Sequence, residues 1–170
     1  MLNKLVALYL KVIAQVDKLK GLVPLIIRLS VGIPFVVTGW GKLHNLDQII
    51  GYFTSLGIPA PQIQAPFVAG LEFFGGIALI LGLGARFFAA PMMMTMVVAI
   101  LTAKRDKIED WTDLFDFIEW HYLVFFLVIA LIGAGPFSLD YLIGKKLIPS
   151  SALPPGDPRT PTSTSSSPPP

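Results

Sequence analysis

The sequence predicts an all-α integral membrane protein, a four-helix up-and-down bundle, on three observations. Hydrophobic residues make up 54% of the chain and charged residues 14%, with a mean hydropathy of +0.69, whereas soluble domains carry about 25% charged residues. Four segments come close to the roughly 20 mostly apolar residues that a hydrocarbon core about 30 Å thick requires. The connection between the second and third is so short that they must run antiparallel, and an up-and-down bundle follows most simply. This much apolar sequence in 170 residues exceeds what one small core covers, and lipid must cover the rest. The absence of cysteine excludes disulfides, thiolate-held iron–sulfur clusters and thiol nucleophiles. A net charge of +2 is too small to point to nucleic acid.

The elements follow in order. Over residues 2–20, spacing at 100° per residue gathers Lys4, Lys11, Lys18 and Gln15 on one strip and leaves Leu2, Leu5, Val6, Tyr9, Val12, Ile13, Val16 and Leu19 around the rest. That pattern predicts an interfacial amphipathic helix lying on anionic headgroups. A cleaved signal peptide is the competing reading, but lysines recur along the segment instead of stopping before an unbroken apolar stretch. Leu22 to Trp40 is the first predicted span, interrupted by Arg28, and Ile63 to Leu83 is the second, interrupted by Glu72. Phe87 to Ala103 is uncharged, and Trp120 to Ala134 carries only His121 near its start. The last span is short, so tilt or local thinning must make up its length. Gly84, Ala85 and Arg86 alone separate spans two and three, which forces a tight hairpin.

After span four, Gly133-Ala134-Gly135-Pro136 breaks the helix, and Ser138 is placed to cap a short helix from Leu139 to Leu147. From Pro149 the composition is Pro, Ser and Thr, which predicts disorder. The chain thus divides into an amphipathic stretch over residues 1–21, a transmembrane domain over 22–148 and a tail over 149–170. With the N-terminus inside, the inner face holds Lys4, Lys11, Lys18, Lys20, Arg86, Lys145, Lys146 and Arg159, and the outer loops hold Lys42, Lys104, Arg105 and Lys107. Both termini are therefore expected in the cytoplasm. Trp40, Trp111 and Trp120 all fall at the opposite ends of the spans, where an aromatic belt sits.

Several short motifs, taken in order, carry a resemblance. They are Arg28-Leu29-Ser30-Val31-Gly32-Ile33-Pro34-Phe35, Gly39-Trp40-Gly41-Lys42-Leu43, Gly57-Ile58-Pro59-Ala60-Pro61, Glu72-Phe73-Phe74-Gly75-Gly76, Leu81-Gly82-Leu83-Gly84-Ala85-Arg86 and Gly135-Pro136-Phe137-Ser138-Leu139-Asp140. As a set they resemble the DoxX family of small four-helix bacterial inner-membrane proteins, over residues 22–142. Ala85 departs from the pattern, where members often have Thr before the Arg. The resemblance implies the fold and a bacterial inner-membrane location. It also implies an association with membrane oxidoreductase systems, without assigning a reaction.

Arg28 and Glu72 are the sharpest candidates for chemistry, because an ionisable group inside a span costs a few kcal/mol or more unless it faces a partner or water. Counted from the inner ends of their spans, their depths differ by roughly 8 Å at about 1.5 Å per residue, which a flexible Arg can bridge. One reading is a buried Arg28–Glu72 pair that binds a quinone head group or an anion, or that exchanges a proton. The other is a fixed salt bridge that sets helix register, or an Arg28 that snorkels to the headgroups. Arg86 and Asp140 at the inner edge either pair, extend that network or anchor the topology. Together Arg28, Glu72, Arg86 and Asp140 form the candidate ligand-binding set.

Other features read more plainly. Gly32, Gly39, Gly41, Gly70, Gly75 and Gly76 let helices approach closely, and Pro34 and Pro91 kink their spans and free carbonyls that can line a small cavity. His44 and His121 fall on the outer side, where facing histidines can hold haem or a metal or simply mark wet helix ends. Met92, Met93, Met94 and Met96 read as lipid-facing filler more readily than as copper(I) ligands. The acidic loop 104–119 alternates with Trp111, Leu114, Phe115 and Ile118, which predicts a short amphipathic helix on the outer surface. No dinucleotide, phosphate-loop, nucleophile-elbow or HExxH motif occurs.

Three functions remain open at this point. The first is a non-catalytic or quinone-interacting subunit of a membrane oxidoreductase, with the cofactor on a membrane or peripheral redox partner. The second is a membrane scaffold for a partner protein, and the third is a small proton-linked carrier.

Overall fold

A computed structural model describes residues 19–147 and, ahead of them, residues 5, 6, 9–11 and 13. The predicted amphipathic helix over 2–20 therefore lies mostly outside the described residues, and the tail from 149 lies wholly outside them. Among the N-terminal residues described, those through Leu19 are helical, Lys20 and Gly21 form a turn, and Leu5, Tyr9 and Leu10 are exposed.

The apolar segments become helices because a backbone in hydrocarbon must satisfy its own hydrogen bonds. The described elements are α1 (Leu22–His44), α2 (Leu46–Ser55), α3 (Pro61–Leu81), α4 (Ala85–Ala103), α5 (Ile118–Ile132) and α6 (Leu139–Leu147), with two 3-10 turns at Arg105–Lys107 and Trp111–Asp116. Helices α1, α3 and α4 are long and apolar enough to cross a membrane, while α5 has 15 residues, about 22 Å. In the bundle α1 packs on α3, α3 on α4, α4 on α5, and α5 back on α1. Phe74, Phe87 and Leu131 stand well exposed on its outside, as side chains facing lipid do.

Close packing of α1 on α3 rests on glycine. A Cβ on Gly32 would lie 3.0 Å from the Gly76 carbonyl oxygen, one on Gly76 would lie 2.9 Å from that of Gly32, and one on Gly39 would overlap the Phe73 backbone. Gly32 and Gly39 thus line one seam, as their heptad spacing predicts. Gly41 and Gly70 do not, since a Cβ on either meets nothing within 4 Å; they lie on faces turned away from the neighbouring helices. Behind the seam, Val31, Phe35, Leu79, Met92, Phe126 and Ile129 form the core. The Phe35 ring meets Tyr122 and Phe126 edge-on at 5.0 and 5.2 Å.

Met92 and Met96 are core residues and not lipid-facing filler, because α4 turns that face inward, with Met92 beside Gly75; Met94 points outward.

Three connections depart from the sequence reading or refine it. Helix α1 runs on to His44, where Asn45 ends it by donating Nδ2 to the Gly41 carbonyl at 2.8 Å. Helix α2 was not expected, although Leu46, Ile49, Ile50 and Phe53 have helical spacing and Gly57 at φ 71° follows its end. Loop 104–119 forms two 3-10 turns in place of one amphipathic helix. Asp113 Oδ2 accepts the N–H groups of Asp110 and Glu109 at 2.9 and 2.8 Å, so a side chain takes the backbone donors that a helix start would leave over. The α3–α4 hairpin turns as tightly as expected, on Gly82 and Gly84 at φ 69° and 57°.

Candidate functional site

Every helix end leaves backbone groups without partners, and in a membrane protein water is scarce there. At the hairpin end of the bundle three charged side chains supply those partners. Arg28, fully buried, donates Nη1 to the carbonyls of Leu79 and Ile80 at 3.3 and 3.4 Å, Nη2 to that of Phe137 at 2.6 Å and Nε to that of Pro24 at 3.3 Å. Its cation thus sits on the negative end of α3. Asp140 accepts the N–H groups of Gly84 and Ala85 at 2.8 and 3.3 Å, at the positive start of α4. Arg86 Nη2 donates to the carbonyls of Leu131 and Ile132 at 3.2 and 3.4 Å, at the end of α5. Gly82 completes the arrangement, because a Cβ there would collide with the Arg28 guanidinium. Ser138 caps α6 as expected, with Oγ accepting the Tyr141 N–H at 3.1 Å.

The Arg28–Glu72 pair is therefore not formed. Arg28 is bound at the level of Leu79, two turns and roughly 10 Å along α3 from Glu72, and the helix-end carbonyls already use its donors. Arg86 and Asp140 do not bond to each other, since each answers a helix end of its own, although Asp140 lies near enough to Arg28 for their charges to attract.

Glu72 has a different partner. Its carboxylate is 3% exposed, accepts from Lys42 Nζ at 2.5 Å through Oε1, and from Thr38 Oγ1 at 3.4 Å through Oε2. Thr38 and Lys42 lie one turn apart on α1, and the Gly39 seam between them presses that face onto α3 beside Glu72. The sequence reading counted Lys42 only as an outer-loop charge. The signal it missed is the i, i+4 pair Thr38 and Lys42 opposite a glutamate in the facing span.

This triad opens on a cavity of about 710 Å³ between α1, α3, α4 and α5, flanked by α2 and the loop after it, in the half of the bundle away from the hairpin. Aromatic and aliphatic side chains form most of its wall, including Phe35, Phe67, Val68 and Ala99. Pro34 and Pro91 both line it, as their place inside the spans suggested. Its polar groups are few: Thr38, Lys42, Glu72, Gln64, Tyr52, Thr95, Thr102, Glu119 and Tyr122. A smaller groove of about 400 Å³ adjoins it and shares Thr38, Lys42 and Tyr52, so Lys42 stands between the apolar cavity and the more open side. A mostly apolar hollow of this size with converging polar groups has the form of a small-molecule pocket. Of the candidate ligand-binding set, Glu72 lines it, while Arg28, Arg86 and Asp140 do not.

The histidines are not brought to it either. His44 Nδ1 lies 2.9 Å from the Trp40 carbonyl oxygen and His121 Nδ1 3.0 Å from that of Phe117, each one turn back on its own helix. Among the described residues no three His, Cys, Asp or Glu side chains cluster as metal ligands do.

The DoxX family profile matches residues 23–105. The chain is 30% identical over 139 residues to "Inner membrane protein YqjF" of Escherichia coli (strain K12), covering 76% of this chain and 98% of the relative. It is also 30% identical over 124 residues to "Putative oxidoreductase CatD" of Bacillus subtilis (strain 168), covering 72% and 89%. "Inner membrane protein YphA" of Escherichia coli (strain K12) is 27% identical over 125 residues, covering 68% and 86%. No solved structure gives a significant match. The fold is that of an integral membrane helical bundle of bacterial type. The chain belongs to the DoxX family.

Proposed function

We propose that this protein is the quinone-interacting subunit of a membrane oxidoreductase system, and that the 710 Å³ cavity beside Glu72 and Lys42 is where a quinone ring sits. The observation that carries this reading is a buried carboxylate on the wall of an apolar cavity, paired with a partly exposed ammonium. A quinone ring is flat and apolar, its two oxygens exchange protons whenever electrons move, and a buried carboxylate whose partner reaches water can accompany that exchange. The electrons come from a redox cofactor on a partner protein. A relative whose name carries the word oxidoreductase agrees with this class of system and supplies no reaction.

In this reading Arg28, Arg86 and Asp140 are positioning residues that lock the opposite end of the bundle, and Glu72 with Lys42 touches the ligand. Residues 22–148 form the membrane domain, flanked by the amphipathic stretch 1–21 and the tail 149–170. Both termini lie in the cytoplasm, on the distribution of lysine and arginine, so the cavity opens in the outer half of the bilayer.

Native mass spectrometry of protein extracted gently from its own membrane tests the assignment. The wild type should retain a quinone, and Ala99→Trp, which fills the cavity, should lose it while remaining folded. Arg28→Lys, remote from the cavity, should keep it. A wild type free of quinone that carries a stoichiometric protein partner would overturn the reading in favour of a scaffold.

A further inference from the structure

Two of the helices that line the cavity also carry stripes of side chains turned to lipid. On α4, Phe87, Met94 and Leu101 follow one another at seven-residue spacing and all stand exposed. On α3, Ile63, Phe67 and Phe74 do the same at helical spacing. Phe67 and Met94 belong to the stripes and to the cavity wall at once: they are 65% and 62% exposed, and both line the hollow. A side chain on the wall of a closed chamber is covered from behind by its neighbours, so these two mark an edge where the wall is interrupted.

Packing confines the interruption to one side. Towards the hairpin α3 and α4 touch, since a Cβ on Gly75 would lie 2.8 Å from Met92 Sδ and 3.4 Å from Phe88 Cδ1. The glycine seam closes α1 onto α3. At the far end α2 and the loop after it form a roof through Phe53, Leu56 and the buried Ile58, and Gln64 Nε2 fixes that loop by donating to the Pro59 carbonyl at 2.6 Å. Between roof and hairpin, Phe67 lies six residues from the roof end of α3 and Met94 nine from that of α4, about 9 and 14 Å along helices that cross a hydrocarbon core about 30 Å thick. The opening therefore faces acyl chains.

Polarity within the hollow gives a ligand its orientation. On the α4 side Thr95 and Thr102 donate their hydroxyls to their own helix, to the Met92 and Val98 carbonyls at 2.7 Å each, which leaves that wall apolar towards a ligand. Lys42 on α1 places one of its three N–H donors on Glu72, so donors for ring oxygens lie opposite the opening.

We infer that the cavity opens sideways into the bilayer between α3 and α4, past Phe67 and Met94, and that its ligand is a membrane-resident quinone whose long aliphatic tail lies in that opening while the ring sits at Lys42 and Glu72. This rests on the quinone-site reading above and adds the class of quinone and its route, from lipid and not from water. A tail that stays in hydrocarbon throughout is never transferred to water, whereas a route through the groove would carry it past Lys42, Asn45 and Gln48.

Photo-crosslinking of the full-length protein in nanodiscs tests this. The probe is a 2,3,5-trimethyl-1,4-benzoquinone with a decyl tail on the remaining ring carbon and a diazirine on the fourth carbon of that tail. After irradiation, peptide mapping by mass spectrometry should find the tail inserted into Phe67, Met94 and Val98. A roughly tenfold excess of the same quinone without the diazirine should lower that labelling roughly tenfold, as competition for one site requires. No variant is needed, so folding defects do not enter. Competed insertion into Gln48 and Ile49 of the groove, or into Phe53 and Leu56 of the roof, would overturn the inference and leave the cavity a quinone site. Labelling that is absent, or that is uncompeted and spread equally over Phe74, Phe87 and Leu101, would overturn the site reading and the inference together.

Discussion

Replacing Lys42 by Met keeps the length of the side chain and removes its charge, which leaves the Glu72 carboxylate 3% exposed with only Thr38 Oγ1 at 3.4 Å. Breaking a buried ion pair from one side costs about 3–5 kcal/mol, because a charge remains without compensation. The Lys42 side chain is 30% exposed, so water reaches the pair and the lower end, about 3 kcal/mol, is expected. Removing both charges together in Lys42→Met/Glu72→Leu strands nothing, and should recover all but about 1 kcal/mol. Titration with sodium dodecyl sulfate in mixed micelles, followed by circular dichroism, measures the wild type, Lys42→Met, Glu72→Leu and the double variant, and these four close a double-mutant cycle. A Lys42→Met protein within about 0.5 kcal/mol of the wild type would refute the pairing, because that is the scatter of an indifferent surface change. A double variant no more stable than Lys42→Met would refute the stranded-charge explanation even if the single loss appeared.

Three further expectations use the same structure. Gly39→Ala should cost about 1–3 kcal/mol by overpacking against the Phe73 backbone, whereas Gly41→Ala and Gly70→Ala, with open space around them, should be neutral or slightly stabilising in the same titration. Asp140→Ala should cost about 1 kcal/mol as a lost cap on α4 and should speed amide hydrogen exchange at Gly84 and Ala85. The N–H groups of Asp110 and Glu109 hold the Asp113 carboxyl below the ordinary aspartate range. A carboxyl lowered in the folded state adds stability above its unfolded value, and that part is lost as pH falls through the folded one. Exchange protection in loop 104–117 should therefore weaken on acidification in the wild type, and in Asp113→Asn it should already be weak at neutral pH and change little.

The contrast between the two ends of the bundle explains what could be read from residues alone. The spans were legible because a hydrocarbon core about 30 Å thick imposes a length and a composition on any segment crossing it. The hairpin at Gly82 to Gly84, the Gly32 and Gly39 seam and the capped helix Leu139–Leu147 were legible for a related reason. Each is a local demand, for positive φ, for a missing Cβ or for a capping oxygen, that few residue types meet. Even the importance of Arg28 and Glu72 followed from the cost of placing a charge in lipid.

Their partners did not follow. Helix-end carbonyls are acceptors present in every helix and written in no side chain, so nothing in the letters marks Leu79, Ile80 and Phe137 as the groups that bind Arg28. Lys42 looked like a loop charge because α1 was expected to end at Trp40; one more turn of helix, held by Asn45, carries it back over Glu72. Sequence by itself established the class of protein, the segments in lipid and the residues too costly to be there by accident, since those depend on transfer free energy along a single chain. Which charge meets which partner, and that a ligand-sized hollow opens beside Glu72 and Glu119, came only from packing four helices together. The reason is geometric: register and depth between helices accumulate from every helix end, and an error of one turn, about 5.4 Å, is enough to exchange one ion pair for another.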